Sequence, residues 1–151
     1  MSLYKALDVN SIKVGLEGDS TEEIVAELVE LLVQTGKLPG RDEALEVILD
    51  REAKGTTGIG GGQAIPHATL ECVDGLVVAL GLSEAGVEFD SIDHKPVHVV
   101  VMLLAKTGEP EQYVQALRET GTLLSMPQFF DKLIHCRTPQ EALDLIRAEE
   151  E

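Results

Sequence analysis

The chain has 151 residues, 44% of them hydrophobic and 26% charged, with aromatics at only 3% and no tryptophan. That make-up suits one globular domain with an aliphatic core. A formal net charge of -15 argues against nucleic acid or anionic membrane as a partner, and no apolar run approaches the ~20 residues that cross a bilayer.

The amino-terminal MSLYKALDVN holds no apolar stretch of signal-peptide length. From Asn10 to Leu16, Ile12, Val14 and Leu16 alternate with polar residues and predict a short strand, weakened by Gly15 and Gly18. Ser20 with Glu23 has capping-box spacing, and Ile24, Val25, Leu28, Val29, Leu31 and Leu32 predict an amphipathic helix that Gly36 stops. A second helix begins near Asp42, with Ala44, Leu45, Ile48 and Leu49 as its apolar stripe and Arg51-Glu52 at its end. The runs Leu76–Leu82 and Val97–Leu104 are short, valine-rich and bounded by turn residues, so they predict strands buried on both faces in the middle of a sheet. A short edge strand is expected between them at Val87–Phe89. Pro110 opens a helix with Val114, Leu117, Gly121 and Leu124 inward, and Pro127 opens a shorter one through Leu133 and Ile134. Thr138, Pro139 and Glu141 start the last helix, with Ala142, Leu143 and Ile146 inward. The acidic tail, Ala148 to Glu151, is expected to fray. With no repeat and no linker, residues 1–151 read as a single domain: an α/β three-layer sandwich with a central mixed sheet flanked by helices.

Between the second helix and the strands lies GTTGIGGGQAIPHA, Gly55 to Ala68. Ordering so many glycines is entropically costly, so a plain connector explains the run poorly. A P-loop needs Lys and Ser/Thr where Gly61 and Gly62 stand, and the GxGxxG pattern meets Gln63 at its last glycine, so neither nucleotide loop is present. What remains is a main-chain-rich anion cradle delivering His67 just after Pro66. Thr56, Thr57 and Gly58 are its candidate phosphate donors. Imidazole, with an ordinary pKa of ~6.5, is a good phosphoryl acceptor near neutral pH.

The segment REAKGTTGIGGGQAIPHA, Arg51 to Ala68, resembles the active-site stretch of enzyme IIA domains of the fructose–mannitol type in the bacterial sugar phosphotransferase system. The nitrogen-regulatory IIA proteins share that pattern: an Arg-Glu pair, a TGIG-type loop and Ile-Pro-His. Weaker resemblance continues through GVEFDSIDHKPVHVVVMLLA. The resemblance implies that His67 takes a phosphoryl group from the histidine-containing phosphocarrier protein and passes it to a IIB domain, with no metal or nucleotide cofactor. The alternative it carries is a regulatory IIA protein that binds a regulated partner according to its phosphorylation state. Arg51 takes the place of the family's phosphate-side arginine, a planar permanent charge; spacing alone reads it as a helix C-terminal cation. Many members have a second histidine where this chain has Tyr113, which reads either as a neutral donor to phosphate or as an amphipathic-helix residue. Gly61 stands where many relatives have asparagine.

The remaining candidates rank lower. His98 lies within a strand pattern, His94 in a turn and His135 at a helix end, and no zinc-ligand spacing links them to His67. Cys72 reads as an inert packed thiol, and with Cys136 it forms no CxxC pair, which fits a reducing cytoplasm. Asp50 and Glu52 read as solvated acids at a helix end. The acidic net charge serves solubility on the plain reading, or a partner with a basic docking face.

Overall fold

A computed structural model describes residues 3–150. The chain opens with a short helix, α1 (Leu3–Ala6), a 3-10 turn over Val9–Ser11, and strand β1 (Ile12–Val14). Helices α2 (Thr21–Gln34) and α3 (Arg41–Ala53) follow, then strands β2 (Gly58–Gly60), β3 (Gln63–Ala64), β4 (His67–Leu70), β5 (Leu76–Val87) and β6 (Val97–Lys106). Helices α4 (Pro110–Leu124), α5 (Pro127–Ile134) and α6 (Pro139–Glu150) close the order. No helix among the described residues is long and apolar enough to cross a membrane.

The strands lie in the order β1-β5-β6-β3-β2, with β4 also paired to β6. Strands β5 and β6 run antiparallel from Leu76 opposite Ala105 to Val87 opposite Val97. The pairs β1–β5, β3–β6 and β4–β6 are parallel, so the sheet is mixed. Alternation along β6 feeds two cores: Val100, Met102 and Leu104 pack with α2 and α3, while Val99, Val101 and Leu103 pack with α1 and α4–α6. A strand covered on both faces must be apolar at successive positions, which is why it reads as an unbroken run. The result is helices, sheet and helices in three layers.

The ends of α2 show how local sequence sets these elements. The Ser20 side chain accepts from the Glu23 N–H at 3.2 Å. The Glu23 carboxylate reaches back to the N–H of Asp19 instead of Ser20, at 3.1 Å. At the other end Gly36 sits in the left-handed region, φ +78. Lys37 N–H then donates to the Leu32 carbonyl and Gly36 N–H to that of Val33, the paired bonds of a Schellman stop. Ser20→Ala is expected to lower stability by about 1 kcal/mol, read as a lower urea midpoint at unchanged slope; a shift within error would mean that the cap contributes nothing.

Four expectations need correction. No separate strand covers Val87–Phe89: Val87 ends β5, past a register shift, and Phe89 is fully buried against the α2–α3 side. Helix α4 is rotated from the expected face: Ala116, Thr120, Leu123 and Leu124 are buried, while Val114 is 47% exposed. The tail does not fray through Glu150, whose carboxylate accepts the N–H groups of Leu3 and Tyr4, both at 2.8 Å, and so caps α1. Its last residue, Glu151, lies outside the described residues, as do Met1 and Ser2 of the amino-terminal segment. Finally, the glycine-rich segment is not all loop but carries β2, β3 and the start of β4.

Candidate functional site

Strands β3 and β4 are one line of pairing along β6, broken in the middle. Gln63 and Ala64 pair with Val99 and Val100, and His67 resumes in the same register opposite Leu103. Pro66 has no N–H to give, so the ladder must lapse there. Its carbonyl still accepts from Leu103 N–H at 3.0 Å. Freed from the ladder, Ile65 N–H donates across to the Thr57 carbonyl at 3.1 Å. The Ile65 carbonyl lies 2.6 Å from Nδ1 of His67. A carbonyl only accepts, so Nδ1 carries the proton and the lone pair of the neutral ring sits on Nε2.

Along β4, Ala68 and Leu70 are buried in the α2–α3 core, so His67 alternates to the other face. There its ring meets Tyr113 of α4, with centroids 5.6 Å apart and planes tilted by 55°. Burial pushes the Tyr113 phenol above its ordinary pKa, and the positive charge of Arg51 pulls it part of the way back. The phenol is therefore a neutral donor near pH 7. Arg51 stands in the last turn of α3, where its Nη1 donates to the Gly55 carbonyl at 3.0 Å. That single bond leaves the rest of the guanidinium fork for another acceptor. His67, Tyr113 and Arg51, distant in sequence, thus stand around one corner where α3, β4 and α4 meet.

The expected phosphate donors are held within the fold. Thr56 Oγ1 donates to the Phe89 carbonyl and accepts from Gly58 N–H, each at 3.0 Å. Thr57 is 3% exposed. Its N–H donates to Glu52 Oε2 at 3.2 Å and its hydroxyl donates to Glu52 Oε1. Of this trio, the Thr56 N–H has no partner among the described residues. Beyond it, Gly60, Gly61 and Gly62 all have positive φ and turn β2 into β3.

Segment 88–95 clasps this turn. Gly58 carbonyl accepts from Ile92 N–H at 2.9 Å and from the Ser91 hydroxyl at 3.0 Å. Gly60 N–H donates to Ser91 Oγ at 3.2 Å, and Gly61 N–H to Asp93 Oδ2 at 3.1 Å. The N–H of Lys95, then that of Gly61, hold the Asp93 carboxyl below its usual range. A side chain at Gly58 has no room, since its Cβ would lie 2.9 Å from Ser91 Cα.

The other histidines stand apart. His98 Nδ1 donates to the Ser83 carbonyl at 2.9 Å, and His135 Nδ1 to that of Asp131 at 2.7 Å, where it ends α5. His94 holds a left-handed turn position, φ +59. Among the described residues no three His, Cys, Asp or Glu side chains converge as metal ligands do. Glu52 is the residue that sequence reasoning misjudged: it is an acceptor for Thr57 and not a solvated acid.

Comparison with known proteins identifies the family and the fold. The family described as phosphoenolpyruvate-dependent sugar phosphotransferase system, EIIA 2, matches residues 5–149. The fructose-specific EIIABC component of Bacillus subtilis is 34% identical over 146 residues, covering 97% of this chain but 23% of that protein. The fructose-specific EIIA component of Haloferax volcanii is 34% identical, with 86% of this chain and 85% of that protein covered. A nitrogen regulatory protein of Bradyrhizobium diazoefficiens is 32% identical, covering 92% and 84%. In fold, nitrogen regulatory protein IIA-Ntr from Neisseria meningitidis superposes with a TM-score of 0.87 at 24% identity, over 95% of this chain and 98% of that one. Enzyme IIA mannitol of Escherichia coli, solved in complex with phosphorylated IIB mannitol, gives 0.79 at 24% identity over 94% and 97%. From its matched length, its relatives and its fold, the chain belongs to the EIIA 2 family of the phosphoenolpyruvate-dependent sugar phosphotransferase system.

Proposed function

We propose that the chain acts as a single cytoplasmic IIA domain, a phosphocarrier whose His67 takes a phosphoryl group on Nε2 and hands it to a IIB domain. The observation that carries this is the bond from His67 Nδ1 to the Ile65 carbonyl, which leaves Nε2 as the nucleophile. In the incoming step, Nε2 attacks phosphorus as the bond from phosphorus to the donor's histidine nitrogen breaks. The electron pair of that bond returns to the donor ring. The histidine-containing phosphocarrier protein is the donor of matching chemistry. In the outgoing step the same exchange runs toward the IIB nucleophile. Such transfers need positioning and charge stabilisation more than side-chain acid–base work. Arg51 supplies a fixed positive charge, Tyr113 a neutral hydroxyl donor and the Thr56 N–H a main-chain donor.

Incubation with phosphoenolpyruvate and the general relay proteins tests the proposal. The expected product is a single acid-labile, hydroxylamine-sensitive phosphoryl adduct that a cognate IIB domain discharges. No adduct under conditions that charge a known IIA domain would overturn it. The regulatory alternative draws on the Bradyrhizobium diazoefficiens nitrogen regulatory relative, whose matched region spans 92% of this chain. It keeps the same phosphorylation and replaces transfer by partner contact. Capture of a regulated protein in one phospho-state, with no discharge by IIB, would favour it.

Tyr113→Phe keeps the ring against His67 and removes the hydroxyl. A hydrogen bond to a charged group is worth about 1.5 kcal/mol or more, so the phosphorylation rate should fall roughly tenfold. Rapid-quench kinetics decide this; an unchanged rate makes Tyr113 a packing residue only.

A further inference from the structure

A run of hydrogen bonds leads from the end of α3 to the imidazole, and its first member, Glu52, makes no hydrogen bond to His67 itself among the described residues. Glu52 takes the Thr57 N–H on one carboxylate oxygen, at 3.2 Å, and the Thr57 hydroxyl on the other. The Thr57 carbonyl accepts Ile65 N–H at 3.1 Å. The Ile65 carbonyl accepts His67 Nδ1–H at 2.6 Å. Thr57 is buried, so water cannot replace the carboxylate at either donor.

The links act in sequence. Two bonds to one carboxylate fix the position and orientation of Thr57. Its carbonyl then holds Ile65 against β2, immediately before a proline that fixes its own φ and restricts the residue ahead of it. Ile65 is left with one direction for its carbonyl, and that direction meets Nδ1. Among the described residues, no other hydrogen bond to the ring chooses between its two neutral tautomers.

We infer that Glu52 is a positioning residue: through Thr57 and Ile65 it sets the Nδ1-protonated tautomer of His67 and so selects Nε2 as the nucleophile. This rests on reading His67 as the phosphoryl acceptor. Glu52 itself moves no proton and contacts no substrate. The neighbouring Arg51 turns to the Gly55 carbonyl and its charge lowers the Tyr113 phenol, so adjacent residues of one helix end serve the charge and the tautomer separately.

The test uses the full chain in its unphosphorylated form, with the imidazole nitrogens labelled and their chemical shifts read at a pH where the ring is neutral. Wild type is expected to show Nδ1 protonated. Glu52→Ala is expected to give a mixture of tautomers and a phosphorylation rate per folded molecule lower by roughly tenfold to a hundredfold. Glu52→Gln, whose amide oxygen accepts Thr57 N–H and whose amino group donates to Thr57 Oγ1, is expected to restore both. A merely structural role would lower the melting temperature of Glu52→Ala while leaving tautomer and rate as in wild type, and that result overturns the inference. If Glu52→Ala does not fold, Thr57→Val, which keeps shape and loses the hydroxyl, decides on the same two readouts. A wild type that accepts no phosphoryl group defeats the acceptor reading alone, because the tautomer measurement needs no phosphotransfer.

Discussion

His67→Gln is expected to abolish the phosphoryl adduct completely while leaving the fold intact. The glutamine amide has no nucleophilic nitrogen, because its lone pair is delocalised into the carbonyl. It is nevertheless close in size to the imidazole, and its amino group can donate toward the Ile65 carbonyl as Nδ1 does. The side chain it replaces is half-buried at a free sheet edge, where β4 pairs β6 alone, so no core cavity opens. The stability change is therefore bounded by one hydrogen bond and one ring contact, about 1–3 kcal/mol together. Intact mass after incubation with the relay reads the adduct, and circular dichroism reads the fold. His94, His98 and His135 are internal controls in the same molecule. His98 and His135 also direct Nδ1 at carbonyls, but neither has an arginine or a tyrosine hydroxyl assigned beside it. An adduct that persists in His67→Gln, at any of these rings, would show that the corner of α3, β4 and α4 is not where phosphate is carried.

Much of this was legible before any coordinates, and the division has physical causes. Strands β5 and β6 and helices α2, α3, α5 and α6 announce themselves because their burial is periodic or continuous over many residues. Gly36 and Ser20 mark the ends of α2 because each does something locally that other residues do less well. Strands β2, β3 and β4 were hidden. Each is four residues or fewer; β3 and β4 hold their form by pairing with the distant β6, and β2 by pairing with β3 across a tight glycine turn. The face of α4 was misjudged because Val114 and Ala116 both fit a 3.6-residue period; packing against β6 chose the smaller side chain. Helix α1 has four residues and owes its end to Glu150, nearly the whole chain away. At the site, the glycine-rich run and the histidine were visible because glycine and Pro-His are locally unusual. Glu52 was not, because an acid at a helix end looks the same whether water or Thr57 satisfies it.

Arg51→Ala is expected to lower the phosphorylation rate by roughly a hundredfold to a thousandfold, the effect of removing one preorganised donor from a developing oxyanion. The guanidinium is already held: the last turn of α3 places it and the Gly55 carbonyl fixes one arm, so little reorganisation is needed when phosphate arrives. Arg51→Lys should recover only a small part of the loss. Lysine keeps the charge, but its ammonium is a compact point charge without a planar fork able to bond Gly55 and a phosphate oxygen together. The same substitution makes a second, independent prediction. Arg51 lowers the Tyr113 phenol against the upward push of burial, so losing the charge must move the phenol further up. Alkaline absorbance titration should show Tyr113 ionising at higher pH in Arg51→Ala than in wild type, and close to wild type in Arg51→Lys. Agreement in the titration with no change in rate would place the arginine beside the ring but outside the chemistry. A slowed rate with an unmoved phenol would mean that Arg51 acts on phosphate from a position that Tyr113 does not share.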